Sequence, residues 1–138
     1  MKATGTDSPA CVQAVLRLLS AGGIGPSRVQ RLVEAFGSAE AALAAPVEAV
    51  ALALRTSPSV AGRVVAEARA ADVGAIVADA ACLGARIVAR HDDGYPQLLE
   101  VAPDPPAILF VRGVLEGEPE PAVAIVGSRR ATASGRPH

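Results

Sequence analysis

The sequence predicts an α/β fold in which a helical module, residues 9–84, precedes the start of a parallel-sheet domain, residues 85–138. Three observations support this prediction. Apolar residues recur at helical spacing as far as Gly84, with glycine or proline at the breaks. From Ala85 the pattern changes to short alternating stretches. A near-continuous apolar run then occupies residues 122–126, which is typical of a strand buried on both faces of a parallel sheet.

The helical module contains signals for five helices. Most begin at a proline or after a serine that can cap them, and most end at a glycine or before a proline. The glycine-rich residues 21–25 supply the positive φ angles of a tight turn between the first two helices. The predicted helices are residues 9–20, residues 26–36, a short helix capped by Ser38 and ending near Ala45, a fourth opened by Pro46, and a long helix from Ser57 and Pro58 to about Leu83.

The second part of the chain contains signals for short strands. Alternating apolar residues predict two strands, and three closely spaced prolines enforce an extended connection before the second of them. The predicted elements are a strand at residues 85–89, a turn at residues 92–96, a brief helix near residues 97–101 and a strand at residues 107–111.

The chain ends at His138, soon after the apolar run at residues 122–126. A buried parallel strand needs a crossover helix and neighbouring parallel strands, and the sequence contains neither. We therefore expect a domain truncated after its first phosphate-binding loop. In such a chain the helical module is the stable part, and residues 122–138 lack sheet partners.

Composition limits the kind of nucleic-acid contact that the chain can make. Hydrophobic residues make up 51% of the sequence but aromatic residues only 2%, so little ring surface is available to stack on unpaired bases. The net charge of −1 is not typical of a nucleic-acid binder. However, no acidic residue follows Glu120, and three arginines do, so the end of the chain is locally basic. Lys2 is the only lysine, so the basic residues are almost all arginine. Arginine suits phosphate binding, but a GC-rich genome explains this preference for arginine over lysine equally well.

Cys11 and Cys82 are too few and too far apart for a metal site or a disulfide framework. Both lie in apolar helical stretches, which predicts reduced core thiols. The first residues lack the apolar core of a signal peptide, and charged residues interrupt the richest apolar stretch, residues 61–84. We therefore expect a cytoplasmic protein with no metal and no membrane contact.

The strongest candidate site follows the apolar run and consists of Gly127, Ser128, Arg129 and Arg130. A small-residue loop at the carboxyl end of a buried strand is the usual phosphate site of open α/β sheets. Glycine permits close approach, the serine hydroxyl can donate to an oxyanion, and Arg129 can bind it with two hydrogen bonds. The alternative is a solvated arginine pair, and we favour the functional interpretation. The loop matches neither of the common nucleotide-binding glycine motifs.

A weaker candidate is the glycine turn between the first two helices, where Gly23, Gly25 and Arg28 could contact a phosphate. This pattern matches a helix-hairpin-helix. The alternative is a turn that only joins two core helices, and Pro26 removes one of the amide donors. We favour this packing interpretation.

No arrangement of side chains predicts catalysis. His91, Asp92 and Asp93 are adjacent in a turn and point in different directions, which indicates a solvated turn rather than a metal or acid–base site. No Ser/His/Asp or Cys/His pattern is persuasive, so we assign no catalytic residue.

Three segments in the second half resemble the DprA/Smf family of DNA-processing proteins. They occur in the family's order and at about its spacing, and the helical module resembles the SAM-like domain that precedes the Rossmann-like domain in longer members. The segments are Tyr95-Pro96-Gln97-Leu98-Leu99, residues 104–113 and residues 126–135.

This resemblance implies a cytoplasmic protein that binds single-stranded DNA, protects incoming DNA and helps load RecA in natural transformation. It implies a Rossmann-like fold without a nucleotide cofactor and a role without catalysis. The family's Gly-Ser-Arg loop lies in the DNA-binding pocket, which corresponds here to Gly127, Ser128 and Arg129, with Arg130 beside them. Full-length members form homodimers, whereas this chain lacks the usual dimer surface. We therefore expect it to bind single strands weakly or not at all.

Two alternatives remain open. A nucleotide-processing Rossmann-type enzyme, such as a relative of the phosphoribohydrolases, uses a comparable strand, loop and helix, but it needs an acid or base near the loop. The second alternative is a helical interaction module with a degraded Rossmann tail, in which Arg129 contributes to no measured property.

Overall fold

The computed structural model describes residues 9–90 and 92–115 and the single positions 123, 126 and 127. Within this part of the chain there are seven helices and two strands. They are, in order, α1 (Pro9–Ser20), α2 (Pro26–Phe36), α3 (Ala39–Ala44), α4 (Val47–Leu54), α5 (Pro58–Ala70), α6 (Gly74–Cys82), β1 (Ala85–Ala89), α7 (Gln97–Glu100) and β2 (Ile108–Arg112).

Local capping explains three of the helix boundaries. The Ser38 hydroxyl accepts a hydrogen bond from the Ala41 amide at 3.1 Å, and the Ser57 hydroxyl accepts one from the Val60 amide at 3.3 Å. Gly37 ends α2 in the left-handed region, with φ of 84°. The predicted bounds of the first two helices and the predicted serine caps are therefore confirmed.

The predicted long helix through Leu83 is wrong, because the chain forms two helices there, α5 and α6. Ala71 has extended backbone and ends α5. The Asp72 carboxylate then accepts the Gly74 amide at 2.9 Å, in place of a helical carbonyl acceptor. Glycine is also a poor residue for a helix interior, so the break falls where Gly74 begins α6.

The two strands form an antiparallel ribbon, with Ala85 opposite Arg112 and Ala89 opposite Ile108. The predicted bounds of the first strand are confirmed, and the second strand lies one residue later than predicted. The parallel sheet is not observed among the described residues, whose sheet consists of β1 and β2.

Two residues of the predicted doubly buried strand, Val123 and Val126, are described. They are 88% and 90% exposed and lie outside any strand. The prediction of a buried strand is therefore wrong at these two positions, since the described sheet consists of the antiparallel strands β1 and β2 and offers no parallel strand to pair with them. The rest of that run lies outside the described residues.

The hydrophobic core is centred on α1, which contacts α2, α3 and α5 and also both strands. Leu18, Leu32, Val50 and Val64 are its largest fully buried side chains. Many other core residues are alanines, which allow close approach of the helices; they include Ala39, Ala42, Ala61 and Ala68. The core extends from the helices to Ala89 and Ala107 beside the ribbon. The domain division at residue 84 stays a prediction.

Two hydrogen bonds between a side chain and the backbone help to hold the turn after β1. Asp92 is buried and accepts the Ala89 amide at 2.9 Å, and the Tyr95 hydroxyl donates to the Pro106 carbonyl at 2.8 Å. The expectation of a solvated turn is thus wrong for Asp92, because its carboxylate pairs with a backbone amide at the end of β1. Asp93 is exposed as expected. His91 lies outside the described residues.

The two cysteines occupy different environments, and both are free thiols. Cys11 is half-buried, whereas Cys82 is exposed, so the prediction of a core thiol is wrong for Cys82. The reason is that Cys82 lies at the last turn of the short helix α6, which buries only Ala80. No helix in the described ranges is long and apolar enough to cross a membrane.

Replacement of Leu18 by Ala tests whether α1 couples the helices to the ribbon. We expect a loss of about 3 kcal/mol of unfolding free energy, because a fully buried leucine leaves a cavity. Amide hydrogen exchange should accelerate in α5 and in β1 together. Leu52→Ala is the matched control, since Leu52 is 82% exposed and its removal should change stability by no more than about 0.5 kcal/mol. Faster exchange in α5 alone would contradict the coupling.

Alkylation with iodoacetamide at pH 8 tests the two thiol environments. Burial raises the pKa of the Cys11 thiol from 9.0 to about 11, with smaller contributions from the negative charges of Glu40 and Asp92. Because the thiolate is the nucleophile, the reactive fraction of Cys11 should fall by roughly a hundredfold. We expect mass spectrometry to show Cys82 modified first and both cysteines modified alike in denaturant. Equal rates in the folded chain would contradict the burial of Cys11.

Candidate nucleic-acid interface

The strongest predicted site lies almost entirely outside the described residues. Of Gly127, Ser128, Arg129 and Arg130, the structure describes only Gly127, which is exposed. No described atom lies within 4 Å of the place where a Cβ would stand on Gly127. The assignment of a phosphate site to this loop therefore stays a prediction.

The glycine turn between α1 and α2 is fully described. Gly23 has φ of 82°, a conformation that favours glycine, and Ile24 between the two glycines is buried in the core. Gly25 is the N-cap of α2 and has extended backbone. The turn therefore has the form that the helix-hairpin-helix pattern predicts.

Several polar groups of this turn are used within the turn itself. Pro26 carries no amide hydrogen, and the amides of Arg28 and Val29 both donate to the Gly25 carbonyl, at 3.0 and 3.1 Å. The Arg28 guanidinium donates to the Gly23 carbonyl at 2.7 Å. Arg28 thus stabilises the turn, and these contacts leave fewer donors for a phosphate than the sequence pattern suggests.

A carboxylate from another helix also binds the turn. The Gly22 amide donates to Glu67 Oε2 of α5 at 2.8 Å. A Cβ on Gly22 would lie 3.2 Å from the same oxygen, so a larger residue would push the carboxylate away. Glu67 accepts a backbone amide of the turn, as a phosphate oxygen would. Sequence analysis missed Glu67 because no local signal pairs it with a glycine 45 residues away.

A second polar region lies beside the turn, between the start of α2 and the loop that joins α7 to β2. The Ser27 hydroxyl donates to Asp104 Oδ1 at 3.1 Å and links the two segments. Arg31 and Arg90 line the same cleft. No local sequence pattern groups these residues, because they come from three separate parts of the chain. No group of three metal-ligating side chains occurs within residues 9–90 and 92–115.

The helical module and the segment after it each match a known protein family. Residues 11–78 match the DprA-like N-terminal HHH domain, and residues 86–137 match DNA recombination-mediator protein A. These matches define the class of protein as a DNA recombination mediator. The chain belongs to the DprA family, and the predicted helix-hairpin-helix character of its first part is confirmed. No curated protein and no solved structure matches the chain.

Replacement of Glu67 distinguishes the two interpretations of the glycine turn. Glu67→Ala should lower the unfolding free energy by about 1 kcal/mol, because it removes the acceptor of the Gly22 amide. Urea denaturation measures this loss. Glu34→Ala is a suitable control, since Glu34 is also an exposed helical glutamate but accepts its hydrogen bond from Gln30 within the same helix. Equal losses in the two variants would contradict a specific role for the Glu67 contact.

Proposed function

We propose that this chain binds single-stranded DNA as a recombination mediator and that residues 127–130 contact the phosphate backbone. One observation carries the proposal: the match to DNA recombination-mediator protein A covers residues 86–137 and therefore includes this loop. The residue types suit the role. Gly127 permits close approach of the backbone, the Ser128 hydroxyl can donate, and Arg129 can form two parallel hydrogen bonds to a phosphate.

The described surface supports a binding mode dominated by charge. Tyr95 is buried and Phe36 is partly buried in the core, which leaves Phe110, at 54% exposure, as the most accessible aromatic ring of the described ranges. Base stacking is therefore limited, and phosphate contacts supply most of the affinity. Because the net charge is −1, we expect weak binding that falls steeply with salt.

The resemblance supports further parts of the proposal. They are protection of incoming single strands, assistance in loading RecA during natural transformation, a cytoplasmic location, and action without catalysis or a nucleotide cofactor. They also include a Rossmann-like parallel sheet around the loop and dimerisation of full-length relatives. Family membership supports the role in DNA recombination most directly.

Fluorescence anisotropy with a labelled single-stranded oligonucleotide tests the proposal. At low salt we expect binding, and Arg129→Ala should weaken it and reduce the slope of log K against log salt by about 1. Arg63→Ala is the matched control, because Arg63 is an exposed arginine on α5, outside the proposed loop. It should leave the slope nearly unchanged.

Two results would count against the proposal. If the oligonucleotide does not bind at low salt, this chain is not a single-strand binder. If Arg129→Ala and Arg63→Ala weaken binding equally, the contact is a general effect of positive charge and residues 127–130 have no special role.

A further inference from the structure

A cleft beside the glycine turn contains an arginine with an unsatisfied buried donor. The cleft, which we call the Arg90 cleft, lies between the start of α2 and the loop from α7 to β2. Its polar side chains are Ser27, Gln30, Arg31, Arg90 and Asp104.

The guanidinium of Arg90 is held in a fixed position. Its backbone amide donates to the Ala107 carbonyl at 2.9 Å directly after β1, and its Nη2 donates to the Glu100 carbonyl at 3.1 Å. Its Nε is buried and has no hydrogen-bond partner within the described residues. Among these same residues no carboxylate forms an ion pair with the guanidinium.

A buried donor without an acceptor in the protein is uncommon, and its partner is then a water, an ion or another group from outside the chain. A small, partly open cavity of about 20 Å³ is lined by Arg90 and Gln30, with Val15, Val29 and Val33 around it, and has room for one water. A water would satisfy the hydrogen bond but would leave the charge unbalanced. Arg31 adds a second positive charge to the open cleft, and Asp104 opposes the two arginines with one negative charge.

We propose that the Arg90 cleft binds one phosphate group. Its oxygens accept hydrogen bonds from the guanidinium groups of Arg90 and Arg31, which both line the cleft, and the Ser27 hydroxyl can turn from Asp104 to donate a third. The phosphate is either inorganic phosphate or one phosphate of a single-stranded DNA backbone. Only the second source rests on the proposed function, since binding of a free phosphate is independent of it.

Titration of the full chain with inorganic phosphate, followed by NMR of the arginine Nε–H signals, tests the cleft directly. We expect the Arg90 signal to shift and saturate, while the signal of the exposed Arg63 does not saturate. Sodium chloride at equal ionic strength controls for screening. If the Arg90 signal does not move, or moves in proportion to salt as Arg63 does, water is its partner and the proposal is wrong.

Two variants at residues that do not hydrogen-bond to Arg90 extend the test. Arg31→Ala should weaken phosphate binding severalfold, because it removes one positive charge from an exposed position. Asp104→Asn should strengthen it, since the amide oxygen can still accept from Ser27 while the opposing charge is lost. Unchanged phosphate affinity in both variants would overturn the proposal even if Arg90 variants fail to fold.

A DNA titration identifies the source of the phosphate. If Arg31→Ala weakens binding of the oligonucleotide in the Arg129→Ala background, the cleft contacts the DNA backbone. If it does not, the cleft binds free phosphate. Phosphate binding without any DNA binding would refute the proposed function and leave the cleft intact, so the two failures are distinguishable.

Discussion

Helix α1 packs against α2, α3 and α5 and also against both strands of the ribbon, so its burial joins the helical module to the segment that follows. Leu18 is among the few large side chains that this core buries completely. Most of the surrounding positions are alanine or valine, each of which buries little area. The stability of such a core depends on close fit between helices, since none of its fully buried described residues is aromatic.

A core of small residues leaves the loops to be positioned by individual hydrogen bonds. Arg69 on α5 donates to the carbonyls of Leu43 and Ala45 and fixes the chain after α3. Glu67, also on α5, accepts an amide of the glycine turn. The Tyr95 hydroxyl links the turn after β1 to the segment that precedes β2. These contacts join segments far apart in sequence, and for this reason the positions of the loops follow from the folded core rather than from local preference.

This difference between local and distant contacts decides how much of the fold could be predicted. Helix starts at Pro26 and Ser57 follow from signals within four residues, and the structure confirms them. The break before Gly74 also has a local cause. It was not predicted because apolar residues recur at helical spacing on both sides of it. The burial of Asp92 could not be predicted, because the polar composition of its turn indicates exposure, whereas in the folded chain its carboxylate accepts the Ala89 amide at the end of β1.

For the candidate sites, too, what could be predicted depends on whether the contacts are local or distant in sequence. The family match was predictable because it depends on motifs that are contiguous in sequence, whereas the site at residues 127–130, which depends on one of these motifs, stays a prediction. The role of the glycine turn was less predictable, since a turn of this form can either bind phosphate or pack, depending on groups that fold against it. Here Glu67 and Arg28 occupy its polar atoms, which favours packing.

A comparison of Arg28 with Arg90 shows why a sequence motif alone does not identify an anion-binding residue. Arg28 is adjacent to the glycine turn and is the residue that a motif would select, yet its guanidinium is bound to the Gly23 carbonyl. Arg90 belongs to no motif, yet it retains a buried donor and a charge that no nearby carboxylate balances in the described part of the chain. Because anion binding requires donors that the protein has not already used, the physical argument for an anion is stronger at Arg90 than at the turn.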